Sequence, residues 1–310
     1  MRVVWCLALI GVLSLFACDQ GRASGAKGSS RTETVWHGFA SDSPAPRTGA
    51  RLALMGDAGR GSGAQRGLAG IVARWHSAEG IEALILLGDN IYSEGSYPEA
   101  SEEKLFRPLA KIFAAGIPVN AVLGNHDYGN KQAIPQMADP RLGMGGKNYY
   151  RIAGDGGLYS LYMLDSETIQ GDPEQQRWLA EELMQDTSKW LLCITHHPPY
   201  ASKIAHGGSP GIVDIIEKAT RGARPFDMLI SGHNHVYERR RIPGSTTVAI
   251  VQGASGRVDR ENWPEDQDRL TQYDALETFL AIEIRPDGIS GAAINTIGRA
   301  IDTFEITSKR

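Results

Sequence analysis

Short apolar runs recur along the 310-residue chain between segments of helical length, and this alternation constrains the fold more than any other feature. Seven runs have the length and composition of buried strands, at residues 51–55, 83–87, 118–123, 158–164, 190–194, 228–230 and 248–251. Four segments with mixed faces predict helices, at residues 64–76, 99–114, 173–185 and 211–220. Residues 279–306 alternate apolar and polar side chains around a Pro-Asp-Gly turn, which predicts antiparallel hairpins. We therefore expect an α/β fold in four layers, α/β/β/α, with two mixed β-sheets packed face to face and flanked by helices.

The amino terminus has the layout of an export signal. Residues 1–17 carry Arg2, then an apolar run, then the small residue Ala17, which is typical of a signal peptide. The stretch Leu15-Phe16-Ala17-Cys18 resembles a bacterial lipobox, so we expect lipidation of Cys18 and attachment to a membrane in the cell envelope, at the periplasm or the cell surface. The alternative is an ordinary signal cut nearby, which leaves a soluble protein.

The rest of the chain divides into a tether and one domain. Residues 18–34 are rich in Gly, Ser and Ala and predict a flexible tether, whereas 35–310 form one continuous domain without internal repeats. Only Cys18 and Cys193 follow the signal, so no internal disulfide framework is expected. The net charge of -4 gives no broad basic surface. We expect a monomer that does not bind nucleic acid.

Five clusters of metal-binding residue types stand where strands are predicted to end. They are Gly56-Asp57-Ala58-Gly59, Gly88-Asp89-Asn90-Ile91-Tyr92, Gly124-Asn125-His126-Asp127, His196-His197-Pro198 and Gly232-His233-Asn234-His235. Ligands gather beyond the carboxyl ends of strands in α/β folds. In four clusters a glycine before the first candidate ligand allows a sharp turn and a close approach to an ion. Together the five clusters predict a metal centre.

Spacing separates ligands from neighbours within the two histidine pairs. His233 and His235 are two residues apart, so on an extended segment both side chains reach the same side. His196 and His197 are adjacent and should point apart, so we expect only one of them to be a ligand. His197 is then a packed or supporting residue.

The ordered blocks GD, GDxxY, GNHD, HxP and GHxH, which span residues 52–256, resemble the metallophosphoesterase signature in its purple acid phosphatase form. The resemblance implies the metallophosphoesterase fold for the domain at 35–310. It also implies a ferric ion on one set of ligands and a divalent zinc, iron or manganese ion on another. The ferric set is Asp57, Asp89, Tyr92 and His235, and the divalent set is Asp89, Asn125, His196 and His233. Asp89 bridges both ions. Gly59 stands where the wider superfamily usually has a histidine, and Tyr92 replaces it as a ligand.

The same resemblance implies a phosphomonoesterase, an acid phosphatase in which a metal-bound hydroxide attacks small phosphorylated substrates. His126 and His206 correspond to the family's catalytic histidines, and Asp127 could pair with His126 and fix its tautomer. An acidic optimum is expected. The alternatives are a phosphodiesterase or nucleotidase on the same site, and a surface lipoprotein that binds metal or phosphate without turnover.

Two polar segments have less definite roles. Residues 238–241, Glu-Arg-Arg-Arg, are interpreted as a solvated strand end, with a phosphate-binding patch as the alternative. Residues 257–272 could form a loop that shapes the pocket.

Overall fold

The structure is a computed structural model, and it describes residues 38, 49–92, 97, 99–129, 131–204 and 206–308. The predicted signal at 1–17, Cys18 and the tether at 18–34 lie outside these residues. The strands are β1 Ala50–Met55, β2 Ala83–Leu87, β3 Val119–Val122, β4 Tyr150–Ala153, β5 Tyr159–Met163, β6 Trp190–Thr195, β7 Met228–Ser231, β8 Tyr237–Arg241, β9 Val248–Gln252, β10 Arg269–Tyr273, β11 Thr278–Ile284, β12 Gly288–Asn295 and β13 Ala300–Thr307. The helices are α1 Gly63–Glu79, α2 Glu99–Ser101, α3 Ala110–Ala114, α4 Asn125–Gly129, α5 Ala133–Ala138, α6 Pro173–Gln185 and α7 Pro210–Ala219.

The strands form two mixed sheets. One has six strands in the order β13-β12-β11-β1-β2-β3, and the other has seven in the order β10-β8-β9-β7-β6-β5-β4. In the first, β1, β2 and β3 are parallel and β11, β12 and β13 are antiparallel. In the second, β5, β6, β7 and β9 are parallel, with antiparallel strands at both sides. The predicted mixed sheets are confirmed.

Three apolar layers separate the four structural layers, and alternation along each strand fills them. Leu52 and Leu54 of β1 pack between the two sheets, whereas Ala53 and Met55 face the helical layer that contains α1. In β6 the residues that face outward, including Cys193, pack in the layer with α6 and α7. A strand covered on both faces needs apolar residues throughout, which explains why the central strands stand out in the sequence as unbroken apolar runs. The predicted four-layer architecture is confirmed.

The helix predicted at 99–114 is interrupted. The chain forms α2, a π-helical turn at Glu102–Phe106, and then α3 from Ala110. Pro108 lies between the turn and α3, and proline removes a backbone donor and clashes with the preceding turn of a helix. The other three predicted helices are present within a few residues of their predicted bounds.

Three strands of the seven-stranded sheet had no strand signal in the sequence. β4 and β10 are the two edge strands and β8 lies beside β10, and all three carry polar residues that lie half-buried or exposed. A strand that is covered on one face only does not need a continuous apolar run. Within the described residues, no helix is both long enough and apolar enough to cross a membrane.

Candidate metal centre

The carboxyl ends of β1, β2 and β7 place three candidate ligands in an unusual backbone conformation. Asp57, Asp89 and His233 each come two residues after their strand and have φ of 56°, 50° and 69°. Left-handed backbone costs on the order of 1–3 kcal/mol for residues with a Cβ and persists only where the surroundings impose it. The backbone N–H of Asp57 donates to the carbonyl of Gly88 (3.1 Å), and that of His233 donates to Asp57 Oδ2 (2.8 Å). The first contact joins the ends of β1 and β2 within one sheet, and the second joins the two sheets at the ligands.

Two glycines in the clusters are required by close approach. A Cβ at Gly124 would lie 2.2 Å from Asp89 Oδ1, so any larger residue would displace that carboxylate. A Cβ at Gly59 would lie 2.0 Å from the carbonyl oxygen of Asn90. The backbone therefore leaves no space for the histidine that the wider superfamily usually has at position 59.

Tyr92, Asp57 and His235 form the first half of the site. The Tyr92 hydroxyl donates to Asp57 Oδ1 at 2.7 Å and lies 2.9 Å from His235 Nε2. His235 Nε2 is also 3.5 Å from Asp57 Oδ1. Tyr92 and Asp57 are buried, with 4% and 0% of their surface exposed. A carboxylate, a phenol oxygen and an imidazole nitrogen thus converge from three separate loops.

Asn125, His196 and His233 form the second half. Asn125 Oδ1 lies 3.1 Å from His196 Nε2 and 3.1 Å from His233 Nδ1, and these two nitrogens are 3.2 Å apart. Pro198 follows the pair of adjacent histidines, and His196 is fully buried. Asn125 begins α4, so its side chain leaves the helix end toward the two imidazoles.

Asp89 lies between the two halves. Its Oδ1 is 3.4 Å from His196 Nε2, and its carboxylate also contacts the Tyr92 hydroxyl, contributing to the raised pKa of that phenol. Asp57, Asp89 and His196 each offer a ligand atom within 4.8 Å of the others, and all three are buried. Asp89 is therefore placed to serve both halves, as the resemblance implies.

Hydrogen bonds outside the clusters fix which imidazole nitrogen faces the site. His196 Nδ1 donates to the carbonyl of Leu87 (2.9 Å), and His235 Nδ1 donates to Asp259 Oδ2 (2.6 Å). In the neutral rings Nε2 then carries a lone pair and points at Asn125 Oδ1 or at the Tyr92 oxygen. Acceptor atoms face acceptor atoms in both halves, which is the arrangement that a cation stabilises.

The charges of the metal-free site agree with that conclusion. Burial, followed by the charges of Asp57 and Asp89, raises the pKa of Tyr92 far above its usual value. Burial opposes charge on His196, but Asp89 and Asp57 outweigh it and raise the pKa of that imidazole. Burial and then neighbouring imidazoles lower the pKa of His233 to about 2, which keeps it in the neutral form that binds metals. The donor set, with carboxylates, a phenol, an amide and three imidazoles, fits two metal ions.

His126 lies at the open side of the site. Its side chain is 49% exposed, its backbone N–H donates to Asp89 Oδ1 (2.9 Å), and its Nε2 is 3.9 Å from Asp89 Oδ2. Its ring is 4.6 Å from the Tyr92 ring. The imidazole is therefore both close to the ligands and accessible to a substrate.

His206 reaches the second half from a different loop. It is exposed, and its ring centroid is 4.5 Å from that of His233. Ser202, four residues earlier, is held by Glu238, which accepts from the Ser202 N–H at 3.0 Å and from its hydroxyl at 2.8 Å. Glu238 is fully buried, so residues 238–241 are not simply a solvated strand end.

Two of the three arginines of that segment, Arg239 and Arg240, are paired with carboxylates. Arg239 forms two hydrogen bonds to Asp302, at 2.6 and 3.0 Å, and Arg240 pairs with Glu238 and Asp266. These pairs bind β8 to its surroundings and leave neither guanidinium free as a phosphate-binding patch.

His197 lies closer to the site than expected for the neighbour of a ligand, whose side chain should point away from it. The two rings are 80° apart, yet the His197 centroid is 4.4 Å from His233. His196, His197 and His233 also have ligand atoms within 4.8 Å of one another. His197 Nδ1 is 3.1 Å from the Ser166 hydroxyl, and burial lowers the pKa of the ring to about 4. We assign it to the wall of the site.

Asp127 holds two loops together. It is buried and accepts from the backbone N–H groups of Gly124 (2.8 Å) and Ile91 (3.1 Å), and from the side chain of Gln136 (2.8 Å). No hydrogen bond between Asp127 and His126 is present among the described residues. The expectation that Asp127 fixes the tautomer of His126 was wrong: its oxygens are used by the loops that carry Asp89 and Asn125.

Sequence reasoning missed two residues. Asp259, which binds His235, lies in the polar segment 257–272, where nothing set it apart from its charged neighbours. Arg60 places its guanidinium 3.8 Å from the centroid of the Tyr92 ring, a cation–π contact. Arg60 follows the GD block directly, but a lone arginine in a loop carries no signal.

The fold and site together define a class. Two mixed sheets flanked by helices, with two adjoining clusters of metal donors at the carboxyl ends of their strands, are the architecture of a dimetal phosphoesterase. Residues 50–237 match the calcineurin-like phosphoesterase family. The chain belongs to that family.

The proteins to which this sequence is similar have names that give different activities. A probable cyclic nucleotide phosphodiesterase from Synechococcus is 27% identical over 212 residues, covering 66% of this chain and 73% of that protein. Probable purple acid phosphatase 20 from Arabidopsis thaliana is 26% identical over 224 residues, covering 65% of this chain but only 49% of that protein. The structure of GAP50, the anchor in the inner membrane complex of Plasmodium, matches with a TM-score of 0.70 at 15% identity, covering 85% and 90% of the two chains. That structural match shows the fold alone.

Proposed function

We propose that this protein is a phosphomonoesterase of the purple acid phosphatase type. A ferric ion takes Asp57, Asp89, Tyr92 and His235, and a divalent zinc, iron or manganese ion takes Asp89, Asn125, His196 and His233. The observation that carries the proposal is the position of the Tyr92 hydroxyl, 2.7 Å from Asp57 Oδ1 and 2.9 Å from His235 Nε2. Phenolate and carboxylate are hard anionic ligands that suit a ferric ion. Similarity to the Arabidopsis phosphatase supports the same assignment.

When bound, the two metal ions activate a water molecule and neutralise charge on the phosphoryl oxygens. The side chains around them supply hydrogen bonds and protons. His126 is half exposed beside Asp89 and can donate a hydrogen bond to a phosphoryl oxygen as negative charge develops. His206, beside His233, can give a proton to the alcohol oxygen as its bond to phosphorus breaks. The products are inorganic phosphate and the alcohol.

The test compares an activated aryl phosphate monoester with its matching diester, using the full chain reconstituted with iron and zinc. Strong preference for the monoester supports the proposal, and preference for the diester overturns it while leaving the metal centre intact. The pH profile of the monoester reaction adds a second check, since a ferric ion keeps a nucleophile available below neutral pH. A rate that rises only above neutrality contradicts the ferric assignment.

A phosphodiesterase is the second candidate, and one observation favours it. The Synechococcus relative named as a probable cyclic nucleotide phosphodiesterase is covered over 73% of its length. Two metal ions activate either ester, so the choice depends on the loops around them. A cyclic nucleotide added to the same assay separates the two activities directly.

We propose further that the protein is exported and anchored through a lipid on Cys18. The signal at residues 1–17 and the lipobox-like stretch support this location. Such a protein meets small phosphorylated molecules outside the cytoplasm.

A further inference from the structure

Asp259 is attached to His235 at two points. Its Oδ2 accepts from His235 Nδ1 at 2.6 Å, and its backbone N–H donates to the His235 carbonyl at 3.0 Å. The carboxylate therefore has little freedom to turn away from the ring. Its other oxygen, Oδ1, is held by the guanidinium of Arg257.

The ring orientation that this produces is the one that the site needs. With Nδ1 donating to Asp259, the opposite nitrogen, Nε2, faces the Tyr92 oxygen at 2.9 Å and Asp57 Oδ1 at 3.5 Å. A carboxylate partner also increases the electron density that the ring offers at Nε2. The contact with Asp259 thus sets both the orientation of the His235 ring and the strength of its Nε2 as a metal donor.

The loop that supplies Asp259 reaches both sides of the site. It connects β9 to β10, and at Asp266 and at Arg269, the first residue of β10, the chain contacts the segment that carries His206. There, Asp266 Oδ2 accepts from the Ser202 hydroxyl at 3.1 Å, and Arg269 donates to that hydroxyl at 3.1 Å. The loop is therefore packed against the site rather than extended into solvent.

We propose that Asp259 is a positioning residue for the metal centre, which acts through His235 to hold a metal ion on the side of Tyr92. The inference rests on the proposed function for the identity of that ion, but not for the presence of a metal. Asp259 does not contact the substrate. Its effect should appear in how tightly metal is held and in the electronic properties of the site.

The experiment uses three variants of the full chain. Asp259→Asn keeps the size of the side chain and the backbone contact but removes the charge. Asp259→Glu restores the charge with a longer side chain. Glu265→Gln removes the same charge from an exposed position in the same loop and is the matched control. Each is loaded with zinc alone and with iron plus zinc, and metal release to a chelator and the visible spectrum are recorded.

We expect Asp259→Asn to lose metal about 10–100-fold more readily than the wild type, with Asp259→Glu between them and Glu265→Gln unchanged. In the iron-loaded protein, a weaker imidazole donor leaves the iron a better electron acceptor, so the tyrosinate absorption band should move to longer wavelength. A structural role alone would lower thermal stability without moving that band.

Failure of the inference and failure of the proposed function give different results. If the wild type shows the band and Asp259→Asn keeps both the band and its metal, the positioning role is wrong and the ferric site stands. If the wild type shows no band, the ferric assignment is wrong, and zinc release still decides the role of Asp259. If Asp259→Asn does not fold, Asp259→Glu provides the comparison, because its longer side chain moves the carboxylate from its place beside His235 Nδ1, and unchanged zinc release there overturns the inference.

Discussion

The hydroxyl oxygen of Tyr92 lies 2.9 Å from Nε2 of His235, although the two residues are 143 positions apart in the chain. One follows β2 of the six-stranded sheet and the other precedes β8 of the seven-stranded sheet. The contact therefore joins the two sheets at the strand ends that carry the candidate ligands. The metal centre exists only where both sheets are packed together.

Tyr92→Phe should remove the visible absorption of the iron-loaded protein while the fold is kept. The ring stays packed between Arg60 and His126, and only the oxygen that would bind iron is lost. The visible spectrum and the thermal unfolding temperature measure the two effects. An iron-loaded Tyr92→Phe protein with the wild-type band would show that another group binds the iron.

Asp89→Asn should reduce the rate of hydrolysis at least about 100-fold. Substitution of residues that only support metal ligands already lowers metal affinity or activity by about 10–100-fold. Asp89 is placed beside both halves of the site, so the change affects both metal positions. Turnover of an aryl phosphate and metal content per chain are the measurements. Wild-type turnover with a single bound metal would contradict the dimetal assignment.

Glu238→Gln should destabilise the protein by about 1–3 kcal/mol, because one of the buried donors that point at the carboxylate loses its acceptor. It should also loosen the loop from Ser202 to His206. Hydrolysis of an alkyl phosphate, whose alcohol needs a proton to leave, should fall more than that of an aryl phosphate. His206→Asn should give the same kinetic pattern without the loss of stability; equal losses for both substrates would contradict the role of His206.

Asp186 should make the stability of the metal-free protein depend on pH. Burial raises the pKa of this carboxyl, but hydrogen bonds from Ser160, Ser188 and Tyr162 outweigh it and lower the pKa from 3.8 to about 2. A carboxyl whose pKa is lower in the folded than in the unfolded protein stabilises the fold at pH values above its unfolded pKa. This stabilisation is lost as the pH falls through the folded pKa. The difference in unfolding temperature between wild type and Asp186→Asn should therefore shrink from about pH 6 to about pH 2. A constant difference over that range would exclude the assignment.

Cys18→Ser should release the protein from the membrane fraction of an expressing bacterium without changing its specific activity. A lipid on Cys18 is the proposed anchor. Cell fractionation and the mass of the amino-terminal peptide measure the change. An unmodified Cys18 in the wild type would support an ordinary signal peptide.

The sequence alone was sufficient for the central strands and for the three longest helices, α1, α6 and α7. Strands covered on both faces require unbroken apolar runs, so the predicted segments at 83–87 and 190–194 correspond closely to β2 and β6. Strands at and beside the edge, such as β8 and β10, have no such requirement and were missed. The break before α3 was also missed, although Pro108 was visible in the sequence.

The sequence by itself determined the residue types of the site and their places at strand ends, because a metal centre needs oxygen and nitrogen donors in turns that follow buried strands. The tertiary structure decided which residues the supporting side chains bind. It placed Asp127 on two backbone loops rather than on His126, and Asp259 on His235. Asp127 and Ile91 are 36 positions apart, and Asp259 and His235 are 24 positions apart. Their contacts depend on which loops the order of the strands within each sheet brings together, which no local pattern records.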